Sequence, residues 1–336
     1  MDAQALFIDG THIKASANRR KATQVVVEKQ AKRYQKQLEE EIERDRAEHG
    51  KKPLKKKGSD DDSNPPPPET KTVLQRQVDP ESGLFHKGEH KKCFAYMANT
   101  ACDQHNFVVD FVVGAGNLHD SVLFDDLYKK LLLKVPEVEV IAVDSAYKTP
   151  WIMKQIIDSE RIPAVPYKRP MTKKGFFKKG DYVYDEYYDC ILCPENQILK
   201  YSTTNREGYR EYKSNPEVCR SCARRNECTA SQGCQKVVTR HVWEEYMEKA
   251  EDYRHTPDYR AIYAQRKETI ERVFADAKEK HGMRYTQLRG LEKVKIQVTL
   301  TFACMNLKKL ATWKRRKGML PLISLPLEGG LSFCIN

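Results

Sequence analysis

The sequence lacks any apolar run approaching the roughly 20 residues of a membrane-spanning helix. Met1 is also not followed by a basic segment and an apolar core of the kind that directs secretion. These absences exclude a helical membrane protein and a recognisable leader, so a cytoplasmic chain is expected. The closing stretch KGMLPLISLPLEGGLSFCIN is apolar, yet its prolines and glycines leave it too short and broken to span a bilayer. In a reducing compartment the ten cysteines read as thiols or metal ligands rather than disulfides, and their spacing decides which.

What is present is basic charge. The 336 residues carry 59 Lys and Arg against 47 Asp and Glu, a formal net charge of +12, which points to a polyanionic partner, nucleic acid first. RRK at 19–21, KKPLKKK at 51–57 and KRRK at 314–317 suit phosphate contacts, as they would also suit a solvated surface.

Element signals give an order. QALFID, residues 4–9, predicts a short strand ending at Asp9 and broken by Gly10. Residues 22–48 are rich in helix formers and charge and predict one long, largely solvated helix, while 51–70, with its charge runs and a run of four consecutive prolines, predicts a disordered linker. CFAYMANTACD and NFVVDFVVGAGN predict a hairpin turning near Gln104 and His105, which makes a three-stranded meander with the first strand. A helix follows, with Val122, Leu123, Leu127 and Leu131 as its packing face and Asp120 or Ser121 as its cap.

Val138 to Val143 then reads as a buried parallel strand ending at Asp144. A helix over 149–159, a short strand in IPAVPY and two closing helices near 257–281 and 290–313 complete the chain. Three strands, helix, strand, helix, strand, with an aspartate at two strand ends, suits an α/β ribonuclease H-like mixed sheet flanked by helices, interrupted by an inserted cysteine-rich subdomain. The expected division is 1–20 first strand, 21–70 charged helix and linker, 71–167 core, 168–240 cysteine-rich insertion, 241–313 closing helices and 314–336 tail.

Carboxylates at two buried strand ends cost desolvation energy unless a cation compensates them. If the two strands are neighbours, Asp9 and Asp144 converge and a Mg²⁺ would relieve their repulsion. The third acid expected is Glu271, which borders the helical stripe Ile270, Val273, Phe274 and Ala277. Lys278, about two turns on, shares its face.

FIDGTHIKASANRRK, GNLHDS, VDSAYKTP and RKETIERVFADAKEKHGMRYTQLRGLEKV together resemble the DDE transposases of bacterial insertion sequences over nearly the whole chain. The resemblance implies a ribonuclease H-like catalytic domain. It makes Asp9, Asp144 and Glu271 the catalytic ligands of two Mg²⁺ or Mn²⁺ ions, for DNA cleavage at element ends followed by strand transfer. DNA bearing terminal inverted repeats, a target duplex, a homodimer on DNA and a place at the bacterial nucleoid follow from it as expectations. So does a missing or separately encoded N-terminal DNA-binding region. Lys278, Arg266 and Tyr263 are candidate DNA contacts, although four residues separate Arg266 from Glu271 where the family usually has three. A metal-dependent nuclease of the same fold and an inactive zinc and DNA-binding remnant are the alternatives.

The cysteines form two CxxC pairs, Cys190 with Cys193 and Cys219 with Cys222, separated by 25 residues and followed by Cys228. Four thiolates of this kind suit a structural, tetrahedral Zn²⁺, with Cys228 and Cys190 rivals for one position. In GNLHDS, Asp120 is read as a cap and His119 as ordinary loop polarity.

Overall fold

Strand β1 (Ala5–Lys14) runs through Gly10 rather than stopping there, so Asp9 lies within a strand and not at its end. A computed structural model describes residues 4–17, 22–28, 34–54, 70–87, 91–169 and 171–318. A two-stranded antiparallel ribbon of β2 (Thr23–Glu28) and β3 (Thr70–Gln75) flanks helix α1 (Gln35–Glu48). The long helix expected from residue 22 is therefore a strand followed by a helix, because the β-branched run Val25 to Val27 prefers an extended, pleated backbone. Most of the expected linker, 55–69, and most of the tail, 319–336, fall outside the described residues.

The central sheet adds β4 (Gly83–Lys87), β5 (Lys91–Asp103), β6 (Val108–Ala115), β7 (Val140–Val143) and β8 (Ile162–Ala164) in the order β4-β5-β1-β7-β8, with β6 also on β5. β5 and β6 form the expected hairpin, and β1 pairs antiparallel with β5. β7 is parallel to both β1 and β8, as its continuous apolar run VIAV anticipates.

Alternation along the strands splits the core in two. On one face Leu6, Ile8, Ile141 and Val143 pack with Phe124, Leu127 and Leu131 of α2 (Asp120–Lys134) and with Ile152 and Ile156 of α3 (Pro150–Asp158). α2 is capped by His119, whose ring accepts from the Ser121 N–H, and not by Asp120 or Ser121 as expected. Its turn orientation leaves Val122 exposed and buries Phe124 and Tyr128 instead.

After β8 come β9 (Val183–Asp185), β10 (Cys190–Leu192), β11 (Ile198–Thr204) and β12 (Tyr209–Lys213), then short helices α4 (Pro216–Arg220) and α5 (Arg225–Cys228), and β13 (Val237–His241). The five strands make a second, antiparallel sheet in consecutive order. α1 is not merely solvated: Leu38 and Ile42 are buried with Trp243. The buried Asp45 pairs with Arg210 of β12 at 2.5 Å and accepts from the Thr204 hydroxyl, while His49 meets Asp189 at 2.7 Å.

Four helices close the described chain where two were expected: α6 (Glu244–His255), α7 (Pro257–Ala264), α8 (Ile270–Lys280) and α9 (Leu291–Arg316). The helix expected over 257–281 breaks at a 3₁₀ turn, Gln265–Lys267, which turns Arg266 inward. α8 and α9 cover the second face of the central sheet, where Ile270, Val273, Phe274, Val298 and Phe302 meet Ala5, Phe7, Val140 and Ala142. Among the described residues no helix is long and apolar enough to cross a membrane.

Candidate active site

Parallel pairing sets Ile8 beside Val143, so Asp9 and Asp144 occupy the next positions of neighbouring strands. Asp9 continues the row Ala5 and Phe7, and Asp144 the row Val140 and Ala142, so strand alternation points both carboxylates to the face covered by α8 and α9. β7 stops at Val143 while β1 continues to Lys14, so the two acids stand where the parallel pairing ends. Asp9 Oδ1 accepts from the Gly10 N–H at 2.8 Å, and Asp144 Oδ1 caps a 3₁₀ turn through the Ser145 N–H at 2.5 Å.

A guanidinium holds the pair. Arg266 Nη2 donates to Asp9 Oδ2 at 2.8 Å, and Nη1 stands 3.6 Å from Asp144 Oδ1. The Arg266 side chain is only 6% exposed, against 20% for Asp9 and 43% for Asp144, so the contact with Asp9 is largely shielded from water. Burial opposes the charge, but Asp9, the Tyr263 hydroxyl at 3.4 Å and Asp144 hold the Arg266 pKa above its ordinary value. Tyr263, its own pKa raised by burial, also lies under the guanidinium with its ring centroid 5.6 Å away. Arg266 Nε is buried with no hydrogen-bond partner, as is Thr100 Oγ1, opposite Asp9 in register on β5.

Glu271 lies in the first turn of α8 and is exposed, whereas its neighbour Ile270 is buried in the core beneath. Lys278 sits two turns further along, half-buried. The structure thus brings Asp9, Asp144, Arg266 and Tyr263 together and puts Glu271 on the helix that covers them. Among the described residues no three acids, histidines or cysteines stand close enough to hold a metal ion as placed.

The role of Arg266 toward the acids was missed by sequence reasoning, although the Tyr263 and Arg266 spacing had singled out both residues. Lys148 of VDSAYKTP was missed as well: it is buried and reaches Glu251 of α6 at 2.5 Å, tying the segment after Asp144 to the helices that follow the second sheet. No local pattern distinguishes such a lysine from a surface one.

In the second sheet the cysteines divide. Cys193, Cys219, Cys222 and Cys228 line a single cavity of about 30 Å³, with Phe177 and Lys236 in its wall. The Gln197 N–H donates to Cys193 Sγ at 3.3 Å, and the Tyr182 hydroxyl lies 3.2 Å from Cys228 Sγ. Cys190, on the opposite parity of β10, lines a different cavity with His49, Asp189 and Tyr201, and burial pushes its thiol pKa up.

The family model described as transposase DDE domain matches residues 192–311, a span that contains Arg266, Glu271 and Lys278 and excludes Asp9 and Asp144. No curated protein and no solved structure gives a match. Residues 192–311 are thus similar to a transposase DDE domain, which supports reading the chain as a DDE transposase.

Proposed function

We propose that the chain is a DNA transposase with a ribonuclease H-like catalytic core, cutting DNA at element ends and joining the freed strand to a second duplex. The observation that carries this reading is the placement of Asp9 and Asp144 at adjacent positions of parallel strands, facing the helix that bears Glu271. The strand order, an antiparallel meander of β6, β5 and β1 continued by parallel β7 and β8, supports the same core.

The donor set fits hard divalent cations, because carboxylate oxygens suit Mg²⁺ or Mn²⁺. Asp9, Asp144 and Glu271 would hold the ions. When bound, a pair of such ions supplies charge stabilisation for both the attacking and the leaving oxygen of a phosphoryl displacement. The chain's own residues would do the positioning: the β1 and β7 backbones fix two carboxylates, α8, seated by its buried face, would present Glu271, and Lys278 would offer a cation for a DNA phosphate. Tyr263 and Arg266 are the other candidate phosphate contacts, and Arg266 must leave its present partners to serve as one.

A structural Zn²⁺ in the second sheet belongs to the same proposal, with the shared cavity favouring Cys193, Cys219, Cys222 and Cys228 over Cys190. The homodimer on DNA also remains part of the proposal.

Asp144→Ala is expected to abolish Mg²⁺-dependent cleavage of a DNA end while leaving its gel-shift binding within about twofold. Retained cleavage would remove Asp144 from the site. A purified protein that nicks DNA ends but never joins them to a second duplex would replace the transposase by a nuclease of the same fold.

A further inference from the structure

Resting on the proposed metal site, we propose that Arg266 is the resting counter-cation of the aspartate pair, and that a divalent ion enters by displacing it. Neighbouring carboxylates at the end of parallel pairing repel each other, and something must neutralise them when no ion is bound. In this fold a guanidinium does so, 2.8 Å from Asp9 and 3.6 Å from Asp144, against the carboxylates that would hold a metal.

Three features make this seat exchangeable rather than permanent. Arg266 Nε is buried without a partner, so the seat leaves the guanidinium incompletely satisfied. Arg266 is carried by a 3₁₀ turn that interrupts the path from α7 to α8, a short segment able to move without unwinding either helix. Asp144, at 43% exposed, is open to an arriving ion from the solvent side. A divalent cation and a guanidinium cannot share the same oxygens without strong repulsion, so loading the ion and withdrawing Arg266 are one event. The withdrawn guanidinium, no longer paired with Asp9 and Asp144, is then available to an anionic ligand. Metal loading thereby switches Arg266 from an internal partner to a ligand for phosphate.

The test is Mn²⁺ binding, followed by calorimetry and by electron paramagnetic resonance, to the full chain and to Arg266→Gln, Arg266→Lys and Asp144→Ala. Removing the internal competitor is expected to tighten Mn²⁺ binding at least tenfold in Arg266→Gln, with Arg266→Lys between it and the unmodified chain. Equal or weaker binding by a folded Arg266→Gln, judged by circular dichroism, overturns the exchange. In case that variant fails to fold, hydrogen exchange of residues 263–269 in the unmodified protein gives a second reading. Saturating Mn²⁺ is expected to speed exchange there, and unchanged protection overturns the proposal. Asp144→Ala separates the two levels of the argument: if it binds Mn²⁺ as well as the unmodified chain does, the metal site itself is misplaced.

Discussion

At the scale of single residues, Asp45, Lys148 and Arg266 show charges buried where another group answers them. Asp45 is 2% exposed and lies between Arg210 and the Thr204 hydroxyl, joining α1 to the second sheet. Removing one partner of a buried ion pair leaves the other uncompensated. Asp45→Ala is therefore expected to lower the unfolding free energy by about 3 kcal/mol, measured by urea titration. The sequence had α1 as a solvated helix because its apolar stripe is thin, and nothing local in QKQLEEEIERDRAE tells Asp45 apart from its exposed neighbours. Asp9 and Asp144 were legible for the opposite reason. Each follows a run of buried apolar residues, where a carboxylate is conspicuous. Arg266 was legible as a position and not as a role, since its acidic partners lie more than 100 residues away along the chain.

At the scale of elements, hydrophobic period identified what tertiary contacts then trimmed. The hairpin of β5 and β6, the parallel strand β7 and the apolar face of α8 were readable because their burial follows from local pattern. The break between α7 and α8 was not, because Gln265 to Lys267 has no proline or glycine and its turn answers to the aspartates beneath Arg266. The short strands of the second sheet were hidden by weak alternation, yet the cysteine spacing had marked the region. Its parity now sorts the thiols: Cys193 follows Ile191 towards the core of that sheet, while Cys190 faces the other side. Zinc content of about one ion per chain by mass spectrometry is the expected outcome. Cys222→Ser is expected to lose most of it and Cys190→Ser to retain it. Loss in Cys190→Ser equal to that in Cys222→Ser would overturn this choice of ligands.

At the scale of the whole molecule, the net charge of +12 predicts a nonspecific attraction to DNA that is sensitive to salt. If roughly six phosphates are neutralised, affinity for a DNA end should fall about a thousandfold between 50 and 200 mM salt. Fluorescence anisotropy across that range checks it, and a flat profile would count against a phosphate-tracking surface.

The acids of the candidate site also stand on a gauge of matched lengths. At its far end β1 is clipped to the segment after α8, since Lys14 N–H donates to the Arg284 carbonyl at 3.0 Å and the Thr286 N–H to the Lys14 carbonyl at 2.9 Å. From Asp9 to Lys14 the strand rises about 17 Å at roughly 3.3 Å per residue. The 11 residues of α8 rise nearly the same, about 16 Å at 1.5 Å per residue. Strand and helix are thus two rods pinned at both ends, by Arg266 on Asp9 and by Lys14 on Arg284. Withdrawing Arg266 opens the pin ahead of the helix while the buried Ile270 and Val273 keep α8 seated on the sheet, so Glu271, in the first turn, keeps its place as the pin opens.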